Sequence, residues 1–512
     1  MQFVKVASSA ARLCQRVARM CESRIHAQRW PLAAAAFLLV SAVIAGCAAY
    51  PDARQEVAAY VQAHAADREA DARGYALAPT TPQTPPSPDA GQEQPATLET
   101  LRDFIVLALQ SNPDIKMAEE TARGRAERIA QVTALPDPMV AMKVLPEPVR
   151  TAEGDNFFIL GISERFPVPE KLTRAGGIAM EETRAALERL QEVRLRVVAE
   201  VKRAYFQLYI IDKSIEITQD NQRLLRGLID VARAQVAAGR RPQDDALRAQ
   251  VELSNLEAEL ITLRQRRVTQ ASRLNELLDR PPATRVPPLE TFEIRKADMD
   301  LDRLLATAAD AHPALRRLQH QIERDQHGVE LARLAYWPDF TLGFEWMYME
   351  PRDAFRPPPN PMTGQRPAVP TMSEDGTDNW AITFGFTLPI WFDRIKGGIA
   401  EARHRLLATR QEYAATQNRI EFQIEDALER VRAQRDLAAL FGSTIIPQAQ
   451  QTYQVSQASY IAGASDFLYV IDNWRKWLVF TIQYHRSLGE LERSVADLEE
   501  AIGLSLPELG EP

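Results

Sequence analysis

The chain has 512 residues, 46% of them hydrophobic and 25% charged, so it can bury a core and is not disordered as a whole. A formal net charge of −8 offers no counterion-release term for nucleic acid, and no such partner is expected. Three cysteines and seven histidines, scattered along the chain, exclude a disulfide scaffold and a zinc ribbon.

The chain opens with Arg12, Arg16, Arg19, Arg24 and Arg29, then an uncharged stretch from Leu32 to Ala45. That run is too short to span a bilayer as a helix and reads as the apolar core of a signal peptide. It ends in Ile44-Ala45-Gly46-Cys47, small residues before a cysteine, as in a lipoprotein processing site. Residues 1–46 are therefore expected to be removed and Cys47 to be the acyl acceptor, the other reading being an ordinary signal peptide with an incidental cysteine. Cys14 and Cys21 would leave with the signal, making Cys47 the only cysteine of the mature chain. Met20 is an alternative start. Residues 47–96, rich in Ala, Asp, Gln and Pro, hold too little apolar surface to offset ordering entropy and read as a tether from lipid to body.

The body is a duplication. Asn112-Pro113 is echoed by His312-Pro313, and Pro136-Asp137 by Pro338-Asp339. The echoes continue from Gly176-Gly177-Ile178-Ala179 to Gly397-Gly398-Ile399-Ala400, and from Ala238-Gly239 to Ala462-Gly463. The offset grows within Glu350 to Asn379, which marks an insertion in the second copy. Repeats are placed at 97–300 and 301–505, with a tail at 506–512.

Each repeat carries strand-like stretches before its long helix. Met139 to Val149, Phe157 to Phe166, Phe340 to Met349 and Trp380 to Ile390 have aromatics near their ends, as transmembrane barrel strands do. Four strands cannot close a barrel, yet every backbone group in lipid must be paired, so the barrel has to be built from several chains. Three copies give twelve strands. Val201, Ala204, Leu208, Ile211 and Ile215 then open a four-three seam that continues to Val236. Ile420, Ile424, Ala427 and Val431 open its counterpart in the second repeat. Helices are predicted over Leu172 to Ala238 and Lys396 to Tyr460, each followed by a glycine turn and a returning helix, Asp244 to Leu278 and Asp466 to Ile502.

These features together resemble the TolC-like outer membrane factor family, from about Thr97 to Leu506. The resemblance rests on Leu98 to Pro113 and its echo Leu301 to Pro313, on Leu135-Pro136-Asp137-Pro138, on Phe166-Pro167-Val168-Pro169 and Leu388-Pro389-Ile390, and on the two glycine tips. It implies an α+β membrane protein: a trimeric, twelve-stranded outer-membrane β-barrel, four strands per chain, continued by a long α-helical periplasmic barrel. The implied role is a passive exit duct for metal ions or drugs. Its implied partners are a periplasmic adaptor and an inner-membrane transporter of the resistance-nodulation-division class. A type I secretion channel for polypeptides and a pore-free coiled-coil scaffold are the alternatives.

The tips, around Gly239 and Gly463, are the candidate site. Asp244 and Asp466 are placed to cap the returning helices. The family's gate acids map to Tyr469 and Asp472, of which only Asp472 is acidic; Asp245 is the match in the first tip. Three copies of Asp472 near the axis would form a cation-attracting ring. Met347, Met349, Met362 and Met372 could offer soft ligands to Cu(I), but methionine near a barrel strand reads first as apolar surface. The histidines converge with no carboxylate that the sequence reveals. No catalytic residue, resident metal or cofactor is expected, and Trp474 and Trp477 read as core.

Overall fold

The computed structural model describes residues 54–63, 100–151, 154–289, 300–350, 359, 361–365 and 376–505. Cys47, Met372, most of the tether and the tail lie outside these residues. So does much of the inserted segment.

The same six-element order occurs twice. The first set is α1 (Leu101–Ser111), α2 (Pro113–Thr133), β1 (Met139–Thr151), β2 (Gly154–Phe166), α3 (Pro169–Ala237) and α4 (Asp244–Leu277). The second is α5 (Leu301–Ala311), α6 (Pro313–Arg333), β3 (Phe340–Glu350), β4 (Asn379–Phe386), α7 (Phe392–Leu440) continued by α8 (Ile446–Ile461), and α9 (Phe467–Ile502). Among the described residues no helix is long and apolar enough to cross a membrane.

The echoed Asn112-Pro113 and His312-Pro313 have one physical job. Each starts a 21-residue helix with proline in its first turn, where the missing N–H costs nothing, and each puts a side-chain acceptor on the exposed amides. Asn112 Oδ1 accepts from Asp114 N at 2.9 Å, and His312 Nδ1 accepts from Ala314 N at 3.1 Å. Burial pushes the His312 imidazole down to about 4, which keeps Nδ1 free to accept. The folded value lies below the unfolded one of about 6.5. The stabilisation is therefore complete above about pH 6.5 and is lost as pH falls toward 4. His312→Asn, an amide cap with no proton to gain, is expected to flatten the drop in thermal midpoint between pH 7 and pH 4.

Helix α3 runs unbroken for 69 residues, about 100 Å at 1.5 Å per residue. Its counterpart is interrupted by a π-turn at Phe441–Ile445 that the heptad reading did not anticipate. Pro447 in the next turn has no N–H for the Ser443 carbonyl and its ring crowds that carbonyl, so the helix widens instead of breaking.

The two repeats are packed on each other along their length. Near the middle, α9 crosses α3 so closely that a Cβ on Gly489 would sit 2.3 Å from Ile210 Cγ1 and 3.3 Å from the Phe206 carbonyl oxygen. Lys202 and Glu499, both buried, form an ion pair across the same two helices. The tether also departs from expectation: residues 54–63 form a helix whose Val57 is 2% exposed, tied to the body by Arg54 to Glu127 and Glu56 to Arg184. Val57, with Tyr60 packed against the core beside it, gives this segment the buried contact that its composition did not suggest.

Candidate functional site

The four strands form one antiparallel sheet in the order β1-β2-β3-β4. Within each repeat the strands are hairpin neighbours, and β2 also pairs with β3 across the repeats, a pairing that the sequence did not reveal. Strand β4 stops at Phe386 instead of Ile390, because Pro389 cannot donate to a ladder; Thr387 still bonds to Asp339 O at 2.9 Å. Among the described residues β1 pairs only with β2 and β4 only with β3, so each outer strand has one edge without a neighbouring strand.

The register sorts the side chains onto two faces. Val140, Ile162, Phe344 and Ile382 stand in one row across the sheet, and Met142, Leu160, Trp346 and Trp380 in the next. Leu342 and Phe384 extend this face, much of which is exposed. The opposite face carries Lys143, Ser163, Arg165, Thr341, Glu345 and Thr383, with Gly161, Gly343 and Gly385 between them. One side is mainly apolar, with Glu164 beside Leu342, and the other is more polar, although Met139, Ile159 and Met347 also stand there; with aromatics near the ends this resembles the pattern of barrel strands. The sheet is fixed to the helices at Asp339, buried at the base of β3. Its carboxylate accepts from Lys171 at 2.7 Å and from Arg165, and its N–H donates to Thr387 Oγ1 at 2.8 Å. The sequence singled out Pro338-Asp339 only as punctuation.

At the other end of the helices, both tips close in the same way. Gly239 and Gly463 adopt φ of 65° and 82°, which lets the next amides turn back onto the helix. Gly239 N donates to Val236 O and Arg240 N to Gln235 O; Gly463 N donates to Tyr460 O and Ala464 N to Ser459 O. These are paired C-terminal capping bonds, at equivalent positions in both repeats.

The acids at the tips have different roles. Asp466 caps α9, accepting from Leu468 N at 3.1 Å. Asp244 does not cap α4; it is already inside the helix and pairs with Arg248 at 2.7 Å. Asp245 is 5% exposed and accepts from the Tyr460 hydroxyl at 3.0 Å, joining the two hairpins; burial raises its carboxyl above the usual range. Tyr460 is itself buried, which pushes its phenol up to about 12, and Arg241 lies 5.0 Å over its ring while donating to Ser465 O at 2.6 Å. This tyrosine was not singled out in the sequence, since its partner lies 215 positions away.

Tyr469, 64% exposed, and Asp472 share the face of α9 turned away from Phe467, Val470, Ile471 and Trp474, which are buried. Asp472 pairs with Lys476 one turn on, at 2.7 Å. Trp474 donates from Nε1 to Asn221 Oδ1 at 3.0 Å, and Trp477 stacks on Tyr453 with ring centroids 5.6 Å apart. Of the described methionines, Met349 is buried in the sheet beside Thr151, while Met362 is exposed on the insertion. One histidine meets a carboxylate that the sequence did not reveal: His320 Nδ1 lies 2.7 Å from Glu181 Oε2.

A two-faced, four-stranded sheet above two long helical hairpins is the fold of outer-membrane channels. The VceC outer membrane protein of Vibrio cholerae aligns with a TM-score of 0.63 at 19% identity, over 79% of this chain and 96% of that one. The open-state MtrE outer membrane channel of Neisseria gonorrhoeae aligns at 0.64 and 18%, over 79% and 89%. In sequence, the chain is 23% identical over 409 residues to the cobalt-zinc-cadmium resistance protein CzcC of Cupriavidus metallidurans, covering 79% of this chain and 90% of CzcC. The outer membrane efflux protein model matches residues 104–280 and 304–504. The chain belongs to the outer membrane efflux protein family.

Proposed function

We propose that three copies of this chain assemble into an outer-membrane duct, a closed twelve-stranded barrel continued by a helical periplasmic tunnel. The observation that carries this reading is a sheet with one exposed apolar face and two outer edges that no described strand of the chain adjoins. In lipid those edge groups need partners, and a second copy offers the complementary edge. The helical body points the same way. Leu247, Val251, Ile261 and Val268 leave an apolar stripe along α4, Ile261 being 68% exposed, that no described helix of the same chain covers. A pore-free scaffold has no use for such a sheet.

The duct is passive and takes its load from a periplasmic adaptor and an inner-membrane transporter of the resistance-nodulation-division class, with the tips as the docking end. The likeness to CzcC favours metal cations as cargo over drugs or polypeptides. Cys47 anchors the mature chain to the membrane. Asp472, with Tyr469 beside it, faces the axis near the tip and makes the narrow end cation-attracting.

Detergent-extracted protein is expected to have the mass of three chains, each starting at an acylated Cys47. A stable monomer would overturn the barrel. A different, unmodified N-terminus would overturn the anchor alone.

A further inference from the structure

We infer that Glu181, His320 and Glu323 form a binding site for a borderline divalent cation such as Zn²⁺ or Co²⁺, built between the two repeats. The ligand atoms of the three side chains lie within 4.8 Å of one another. Glu181 comes from α3, while His320 and Glu323 stand three apart on one face of α6. One imidazole nitrogen and two carboxylate oxygens suit zinc-like ions better than Mg²⁺ or Ca²⁺, which prefer oxygen alone, or Cu(I), which prefers sulfur.

The surroundings prepare the site. Glu181 is buried and held by Arg184, whose Nη1 donates to Oε1 at 2.8 Å and so leaves Oε2 for His320. The Arg184 charge is shared with Glu56 at 3.3 Å, which lessens its repulsion of a cation. In a tetrahedral site with bonds of about 2 Å, ligand atoms stand about 3.3 Å apart, so the cluster must close slightly. Glu323 is exposed and has the rotamer freedom to do so, and the open side leaves room for water as a fourth ligand. A cation entering between His320 and Glu181 takes the Nδ1 lone pair, and the ring proton moves to Nε2. Because the ligands come from both repeats, the ion ties α3 to α6. This holds whether or not metal is the cargo of the duct.

The test is titration of the full-length, detergent-purified protein with Co²⁺, followed by its visible absorption. One Co²⁺ per chain is expected, displaced by Zn²⁺. Glu323→Gln and His320→Gln should each weaken binding at least about tenfold, the smallest loss usual when a metal site's support is removed. Glu323 is exposed, so its variant should match the parent in thermal midpoint in EDTA, separating lost binding from lost folding. Absence of the Co²⁺ band in the parent would overturn the site. So would binding in either variant equal to the parent's.

Discussion

Gly489→Leu is expected to lower the thermal midpoint of the protein sharply. The α3–α9 crossing is set by backbone approach, and a Cβ there would lie 2.3 Å from Ile210 Cγ1 and 2.6 Å from Cδ1. The Ile210 side chain could turn aside, but the Phe206 carbonyl at 3.3 Å is backbone and cannot. Overpacking of this kind costs typically 1–3 kcal/mol, and we expect about 3 because two helices must separate. Those helices also carry the buried Lys202–Glu499 pair, whose geometry would be disturbed with them. Gly227, in α3 with nothing within 4 Å of its Cβ position, is the control. Gly227→Ala should stabilise by up to about 1 kcal/mol, through helix propensity alone. Thermal midpoints of the two variants in detergent would show opposite shifts.

Asp472→Asn is expected to lower the preference for cations over anions by about threefold, within the range that an exposed charge pair of up to 1 kcal/mol allows. Asp472 is half exposed and its pairing with Lys476 offsets part of its charge. Lys476→Gln should therefore move selectivity in the opposite direction, toward cations. Glu257→Gln is the control, because that exposed acid stands more than three turns further along α4 from the tip. Reversal potentials across a planar bilayer under a salt gradient give all three values. Unchanged potentials in both Asp472→Asn and Lys476→Gln would place the constriction elsewhere.

Much of the fold was legible because its signals are local and repeated. The four-three seam from Val201 onward marks a helix wherever its neighbours are, and the glycines at 239 and 463 mark its end because few other residues tolerate that φ. A two-residue period along Phe340 to Met349 marks the strand in the same local way. What escaped depends on distant partners. The Asp245–Tyr460 bond joins residues 215 apart, and the His320–Glu181 contact residues 139 apart, so neither leaves a spacing to read. The capping role of Asp244 failed for a different reason: the helix starts at Asp244 itself, one position earlier than a cap there would require. The π-turn before Pro447 also escaped, because whether a proline kinks, ends or widens a helix is decided by the packing around it.

The most direct test of the duct is the conductance of the purified, full-length protein reconstituted into a planar bilayer. The account predicts discrete ion-conducting steps from the species with the mass of three chains, and none from dissociated single chains. A trimer that inserts without conducting, or single chains that conduct like the trimer, would contradict it.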